Sequence, residues 1–163
     1  MKQARLRNRI GFVIGLLVAL IVAVVPLPVP EEVRPDLVAL FVIYQAIYHP
    51  RLMRLELAFL IGLSVDILLL TILGQHALGL TLLCYFMSRF RQRVVLLNPL
   101  RQAPLILLLL LALQIFYAWI YAIGFSQIVD GLSLTAPLVS VLVWMAIVTP
   151  LSPASRLQRR FAN

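Results

Sequence analysis

The chain has 163 residues, of which 63% are hydrophobic and only 12% are charged. Soluble domains are about half apolar and about a quarter charged, so this composition excludes an ordinary soluble fold and favours an integral membrane protein. The formal net charge is +8. Because the basic residues border long apolar segments instead of forming one face of a soluble domain, they do not indicate a nucleic-acid-binding protein.

The apolar segments predict an all-α membrane protein with six transmembrane helices in one bundle that takes up residues 1–163. In chain order, the predicted spans are 10–28, 37–49, 57–73, 76–90, 103–125 and 132–151. The basic N-terminus followed by an apolar stretch resembles a signal peptide, but no small-residue cleavage site follows it. We therefore expect a retained membrane anchor.

Basic residues alternate with acidic residues between the predicted spans. The basic clusters are Lys2, Arg5, Arg7 and Arg9; Arg51 and Arg54; Arg89, Arg91, Arg93 and Arg101; and Arg156, Arg159 and Arg160. The other connections hold one basic residue, Arg34, and the acids Glu31, Glu32, Asp36 and Asp130. Cytoplasmic loops are enriched in Lys and Arg, so both termini are expected in the cytoplasm. The basic residues are also expected to contact anionic membrane lipids.

The first span carries small residues at intervals of four: Gly11, Gly15, Ala19 and Ala23. Residues four apart share one helix face, and small side chains let another helix approach closely. We expect this face to pack against another helix of the bundle or against a partner protein, and large residues at Gly11 and Gly15 to weaken that contact.

The middle of the chain predicts two short spans and a tight hairpin. The second span lies between Pro35 and Pro50 and is short for a crossing of about 20 residues. The third and fourth spans are so close in sequence that they form a helical hairpin, with Gly74 at its outer turn. How the second and fourth spans cross despite their length is left open by the sequence.

The last two spans differ in their signals. The fifth is an unbroken apolar run whose polar exception is Gln114, and the aromatic residues Tyr117, Trp119 and Tyr121 lie near its outer end. Such rings favour the boundary between membrane and water. The sixth span contains a proline in its first turn, where proline is tolerated.

Asp66 is the candidate for chemistry, because it is a charged residue well inside a predicted span. An ionisable residue there usually faces the bundle or a water-filled cavity. It could relay protons or ions, bind a solute, or hold neighbouring helices by hydrogen bonds, with Gly62 one turn earlier allowing close approach. Under the structural reading, Asp66→Leu should damage the protein and Asp66→Asn should be mild.

The other reactive residue types form no recognisable site. His76 at the hairpin turn is expected to be a capping or surface residue, His49 a loop residue, and Cys84 a packing residue. Two distant histidines and one cysteine do not make a metal site, and no nucleotide-binding or metalloprotease motif occurs. We therefore expect neither a cofactor, a metal nor an enzyme activity.

The stretch from Arg34 to Phe90 resembles the MreD family of the bacterial cell-elongation machinery. The resemblance rests on the segments RPDLVALFVIY and GLSVDILLLTILGQHALGL. The matching motif residues are Arg34, Pro35, Gly62, Asp66, Leu73, Gly74 and Ala77. The length of the chain and its basic termini also fit this family, and the resemblance implies a multi-pass protein of the bacterial inner membrane.

The resemblance implies a non-catalytic scaffold or regulator that supports lateral peptidoglycan synthesis and rod cell shape. Its implied partners are MreC most directly, and MreB, RodZ, RodA and an elongation-specific penicillin-binding transpeptidase through the complex. The family fold is similar to the substrate-binding subunits of energy-coupling-factor transporters. The alternative function is therefore a substrate-binding subunit of a vitamin-type transporter, with Asp66, His76, Gln114 and Tyr117 lining its pocket.

Overall fold

The computed structural model describes the backbone of residues 2–25, 30, 33–125 and 134–151, and the side chains of these residues within 9–123 and 134–149. This described part of the chain contains no strand and six α-helices, which confirms the prediction of an all-α fold. They are α1 (Lys2–Val24), α2 (Leu37–Tyr48), α3 (Leu55–Leu69), α4 (Gln75–Val94), α5 (Pro99–Phe125) and α6 (Thr135–Leu151).

Several predicted features lie outside the described residues. They are the acids Glu31, Glu32 and Asp130, the basic tail with Arg156, Arg159 and Arg160, and the outer ends of the first and sixth spans at 26–28 and 132–133. The side chains of Lys2, Arg5 and Arg7 also lie outside them, although their backbone belongs to α1.

The bundle has two ends, which are distinguished by the connections they carry. The hairpin end carries the turn Leu70–Gly74 between α3 and α4, and the basic end carries the connection Pro50–Arg54 before α3. Helix α4 packs against α2, α3 and α5, while α1 covers α2 and α6 packs on α5. The two central helices, α2 and α4, therefore position residues at both ends of the bundle.

Helix α2 is the shortest helix and is buried along most of its length. Its buried residues are Val38, Ala39, Leu40, Val42, Ile43, Gln45, Ala46 and Ile47. The Asp36 side chain caps its first turn by accepting a hydrogen bond of 2.8 Å from the Ala39 N–H. At the other end, Arg91 Nε donates to the Ile47 carbonyl at 2.7 Å, which satisfies a carbonyl in the last turn of the helix.

The hairpin helices end at different residues from those predicted. Helix α3 stops at Leu69, not residue 73, because Leu70 adopts a left-handed backbone conformation with φ of 54°. Leu73 therefore lies in the turn. Helix α4 extends to Val94 instead of residue 90, so Arg91 and Arg93 belong to its last turn, where positive charge interacts favourably with the helix dipole.

The small residues of α1 face α2 within the molecule. Ala19 is buried, and a Cβ added at Gly15 would lie 2.9 Å from the Phe41 ring of α2. A Cβ added at Gly11 would meet no atom within 4 Å. We predicted that this face packs either within the bundle or against a partner protein, and Gly15 and Ala19 fit the contact within the bundle. At Gly11, by contrast, an added Cβ would meet open space.

Among the described helices, only α5 combines the length and apolar character needed to cross a membrane, over the 25 residues Pro99–Ile123. Shorter apolar stretches occur at Arg9–Val24, Leu37–Tyr48 and Thr135–Thr149.

Candidate functional site

A group of hydrogen-bonded residues at the hairpin end of the bundle joins α3 to the start of α4. We call it the Asp66 cluster, and its members are Asp66, Thr71, Gly74, His76 and Ala77. Asp66 occupies the last turn of α3 and is buried, and its backbone carbonyl accepts a hydrogen bond from the Thr71 N–H at 3.1 Å. The turn that follows returns the chain so that Gly74 precedes α4 in a left-handed conformation with φ of 98°, which glycine adopts at little cost. This path brings the start of α4 against the Asp66 carboxyl group.

Five hydrogen bonds reach the two Asp66 oxygens. Oδ1 accepts from the His76 backbone N–H at 2.8 Å, from Thr71 Oγ1 at 3.1 Å and from His76 Nδ1 at 2.8 Å. Oδ2 accepts from the backbone N–H groups of Gly74 at 2.9 Å and Ala77 at 3.2 Å. All five partners supply a hydrogen, which suits an ionised carboxylate, and Nδ1 of His76 accordingly carries the hydrogen in its contact.

This arrangement is a helix cap supplied by a neighbouring helix. The first N–H groups of a helix lack partners inside it, and an Asp side chain normally satisfies them from the position before the helix. Glycine occupies that position in α4 and has no side chain. Asp66 on α3 satisfies three of these N–H groups instead, and its negative charge lies at the positive end of the α4 dipole.

Two glycines let backbones and rings approach the cluster closely. A Cβ added at Gly62 would overlap the backbone of Ala77 and the carbonyl of His76, so α3 and α4 contact each other directly there. A Cβ added at Gly79 would overlap the Tyr117 ring of α5. The α3–α4 hairpin is thus held to α5 as well as to itself.

His76 connects the Asp66 cluster to α5. Its ring centroid lies 4.6 Å from that of Tyr117. The Tyr117 hydroxyl is buried and has no hydrogen-bond partner among the described residues, which is costly unless another molecule satisfies it. Of the four residues proposed above to line a ligand pocket, the structure thus brings Asp66, His76 and Tyr117 into one chain of contacts.

Two cavities flank Asp36 at the hairpin end. The smaller, of about 150 Å³, is lined by Asp36, Leu110, Leu113, Gln114, Tyr117, Ala136, Pro137 and Ser140. The larger, of about 470 Å³, includes Arg34, Asp36, Thr71 and His76 among its lining residues. Asp66 lines neither cavity, and both of its carboxylate oxygens accept hydrogen bonds within the hairpin. His76 opens into one cavity and the pair Gln114 and Tyr117 into the other.

The Asp36 carboxyl lies between these cavities. Removal from water raises its pKa above the ordinary carboxyl value, and the hydrogen bond from Ala39 and the nearby His76 only partly counteract this effect. Its backbone N–H donates to Ser140 Oγ of α6 at 3.0 Å. The family motif residue Arg34 donates from Nη2 to the Val25 carbonyl at 2.6 Å, which ties the end of α1 to the start of α2.

Some residues of these contacts gave no signal in the sequence analysis. Thr71 was indistinguishable from other turn residues, and Ser140 lies in an apolar helix, where Ser normally bonds its own helix, as it also does here with Ala136. Gln102 was assigned no role, yet its buried amide donates to the carbonyls of Val94 and Leu97, both at 3.0 Å. A sequence signal exists only for Gln102, a polar residue at the start of a long apolar run.

Chemistry at the Asp66 cluster is restricted by its own hydrogen bonds. Within the side chains that the structure describes, no three His, Cys, Asp or Glu residues lie together to hold a metal ion. Cys84 is buried and unpaired with another cysteine. What the cluster can do is fix the angle between α3 and α4 and hold His76 against Tyr117.

The comparisons with known proteins identify the family of the chain. No curated protein and no solved structure matched the chain. The family model described as "rod shape-determining protein MreD" matches residues 6–153. That range covers all of the Asp66 cluster and the motif residues from Arg34 to Ala77. MreD is a family of membrane proteins of the rod complex that determines cell shape, and this chain belongs to the MreD family.

Proposed function

We propose that this protein is a non-catalytic, multi-pass membrane scaffold that binds MreC and supports lateral peptidoglycan synthesis by the rod complex. The observation that carries the proposal is the family match over residues 6–153. The Asp66 cluster supports it, because five hydrogen bonds on one carboxylate leave that group poorly suited to act as a general acid or base. They suit a rigid hairpin that presents a fixed surface to a partner.

We further propose that all six helices cross the inner membrane, with the basic end and both termini in the cytoplasm. At the basic end lie Arg9, Arg51, Arg54, Arg89, Arg91, Arg93 and Arg101. At the hairpin end, the described charged residues are Arg34, Asp36 and Asp66. This asymmetry follows the enrichment of Lys and Arg in cytoplasmic loops. The 12-residue α2 is only about 18 Å long, so the residues on either side of it complete its crossing.

The orientation can be tested with two matched cysteine variants. In a Cys84→Ser background, Leu70→Cys places a thiol at the hairpin end and Leu96→Cys places one at the basic end, at side chains that are 91% and 83% exposed. A maleimide that cannot cross membranes should label Leu70→Cys in intact spheroplasts, and Leu96→Cys only after permeabilisation. The reverse pattern would contradict the proposed orientation, and labelling of both in intact spheroplasts would contradict the crossing of α4.

The partner proposal is tested by recovering the tagged protein from its native membranes in mild detergent and quantifying the bound proteins by mass spectrometry. We expect enrichment of MreC and of the penicillin-binding transpeptidase. The same strain should lose rod shape and lateral incorporation of labelled peptidoglycan precursors when the protein is depleted. Normal rods after depletion would contradict the role in cell elongation.

The alternative, a substrate-binding subunit of a vitamin-type transporter, is favoured by one observation. Two cavities with polar lining residues lie at the hairpin end, and the buried Tyr117 hydroxyl next to one of them lacks a partner among the described residues. Such cavities would be expected in a protein that resembles the substrate-binding subunits of energy-coupling-factor transporters. Recovery of a transporter ATPase pair without MreC in the same experiment would favour this alternative over the scaffold.

A further inference from the structure

A third cavity, of about 650 Å³, lies at the basic end, at the opposite end of α2 from Asp36. Three arginines from three parts of the chain line it: Arg9 of α1, Arg51 of the connection after α2, and Arg91 of α4. Tyr48 and His49 complete its polar lining. We call this space the basic cavity.

The basic cavity is lined by three arginines, and Glu56, the acid in the first turn of α3 at the same end of the bundle, is not among its lining residues. The lining contains no acid, and the ion pair recorded among the described residues, between Asp66 and His76, lies at the hairpin end. Arg91 uses one of its five N–H donors on the Ile47 carbonyl. That bond fixes the Arg91 side chain at the cavity. Three like charges around one space repel each other, so an anion between them would be stabilising.

The surroundings of the cavity indicate which anion it binds. Arginine forks match phosphate oxygens in pairs, and the cavity volume lies within the range of small-molecule sites. Directly after Arg9, α1 exposes a continuous apolar face with Ile10, Val13, Ile14 and Leu17. A soluble phosphate compound has no long apolar group that would cover that face, whereas the acyl chains of a lipid can pack along it.

We propose that the basic cavity binds the phosphate-bearing headgroup of an anionic phospholipid, whose acyl chains follow the exposed face of α1. This inference rests on the proposed placement of the helices across the membrane, and it is independent of the role in cell shape. The bound headgroup would hold α1 to the α2–α3 connection and to α4.

Native mass spectrometry of the purified protein, titrated with phosphatidylglycerol in mild detergent, tests the proposal. The test variant is Arg9→Gln with Arg51→Gln, which keeps Arg91 and its bond to Ile47. The matched control is Arg54→Gln with Arg93→Gln, which removes the same charge from exposed arginines that do not line the cavity.

We expect the test variant to bind phosphatidylglycerol about tenfold or more weakly than the wild-type protein, and the control to differ by less than about threefold. The wild-type protein should prefer phosphatidylglycerol to phosphatidylcholine. An equal loss in both variants, or no preference between the two lipids, would overturn the proposal. Displacement of the bound lipid by millimolar glycerol phosphate would assign the cavity to a soluble phosphate compound instead.

Folding of both variants is verified by circular dichroism before the titration. If the double variant fails to fold, Arg51→Gln alone is used, because Arg51 is exposed in a connection between helices. A failed lipid titration would leave the proposed cell-shape function untouched, while the maleimide experiment separately tests the placement across the membrane.

Discussion

Replacing Asp66 with Leu would leave the start of α4 without its cap. Leucine resembles aspartate in outline but accepts no hydrogen bonds, so the N–H groups of Gly74, His76 and Ala77 would lose their acceptor. Each buried donor left unsatisfied costs about 1–3 kcal/mol. The free energy of unfolding should therefore fall by at least about 3 kcal/mol, before the loss of the Thr71 and His76 side-chain bonds is considered.

The structure also changes the expectation for Asp66→Asn. Both carboxylate oxygens accept backbone N–H groups, whereas an Asn side chain has only one oxygen. With that oxygen in the place of Oδ1, the amide nitrogen would face the N–H groups of Gly74 and Ala77. These contacts favour an intermediate effect over a mild one, so the free energy of unfolding of Asp66→Asn should lie between those of the wild-type protein and Asp66→Leu.

The assay is unfolding of the purified protein in mixed micelles by increasing SDS, followed by circular dichroism. Hydrogen exchange at the Gly74, His76 and Ala77 amides should accelerate in both Asp66 variants. The control is Ser64→Ala, an exposed position on the same helix whose hydroxyl bonds only its own helix, at the Leu60 carbonyl, so a change within about 0.5 kcal/mol is expected. Equal stability of Asp66→Leu and Ser64→Ala would refute the capping argument.

Three further predictions concern other contacts. Gly62→Val should prevent the close approach of α3 to Ala77 and destabilise the protein by more than about 2 kcal/mol in the same unfolding assay, whereas Gly11→Ala in open space should be neutral or stabilising by up to about 1 kcal/mol. Gln102→Leu should cost about 1 kcal/mol, because the Leu97 carbonyl loses its donor, whereas the carbonyl of Val94, the last residue of α4, still accepts from the Leu97 N–H. An unchanged unfolding midpoint would contradict this. Asp36→Asn should keep the α2 cap and remove a carboxyl whose pKa is raised. Because of that raised pKa, the wild-type protein loses stability as the pH rises from about 4 through the raised value, so the free energy of unfolding of the variant relative to the wild-type protein should increase over this range. A difference that does not vary with pH would contradict the sign.

The sequence predicted the helical hairpin, because the hairpin depends on local patterns. A buried acid with a glycine one turn before it, followed by a Leu-Gly turn, is recognisable without a structure. The sequence could not show that Asp66 would satisfy the N–H groups of another helix. That contact depends on how the turn returns the chain, which the left-handed conformation of Leu70 determines, and leucine gives no signal for such a conformation.

The ends of α4 and the contacts of α1 were harder to predict for different reasons. Arginine favours helix formation, so α4 continues through its basic residues to the buried Val94, although charge in the sequence indicated the end of a span. In α1, the spacing of small residues identified a packing face but not its partner. Phe41 of α2 fills that face at Gly15, and no pattern in α1 itself encodes which neighbour will do so.

The shortness of α2 has an electrical consequence. A cavity lies at each end of this helix, one beside Arg34 and Asp36 and the other beside Arg51 and Arg91. In the proposed placement, water in one cavity and a polar headgroup in the other would thin the insulating layer around α2 from about 30 Å to about 18 Å. The membrane voltage then falls over a shorter distance there, and the field along α2 is more than half as strong again as in the surrounding bilayer. A change in membrane voltage would therefore act most strongly on groups that lie between the two ends of α2.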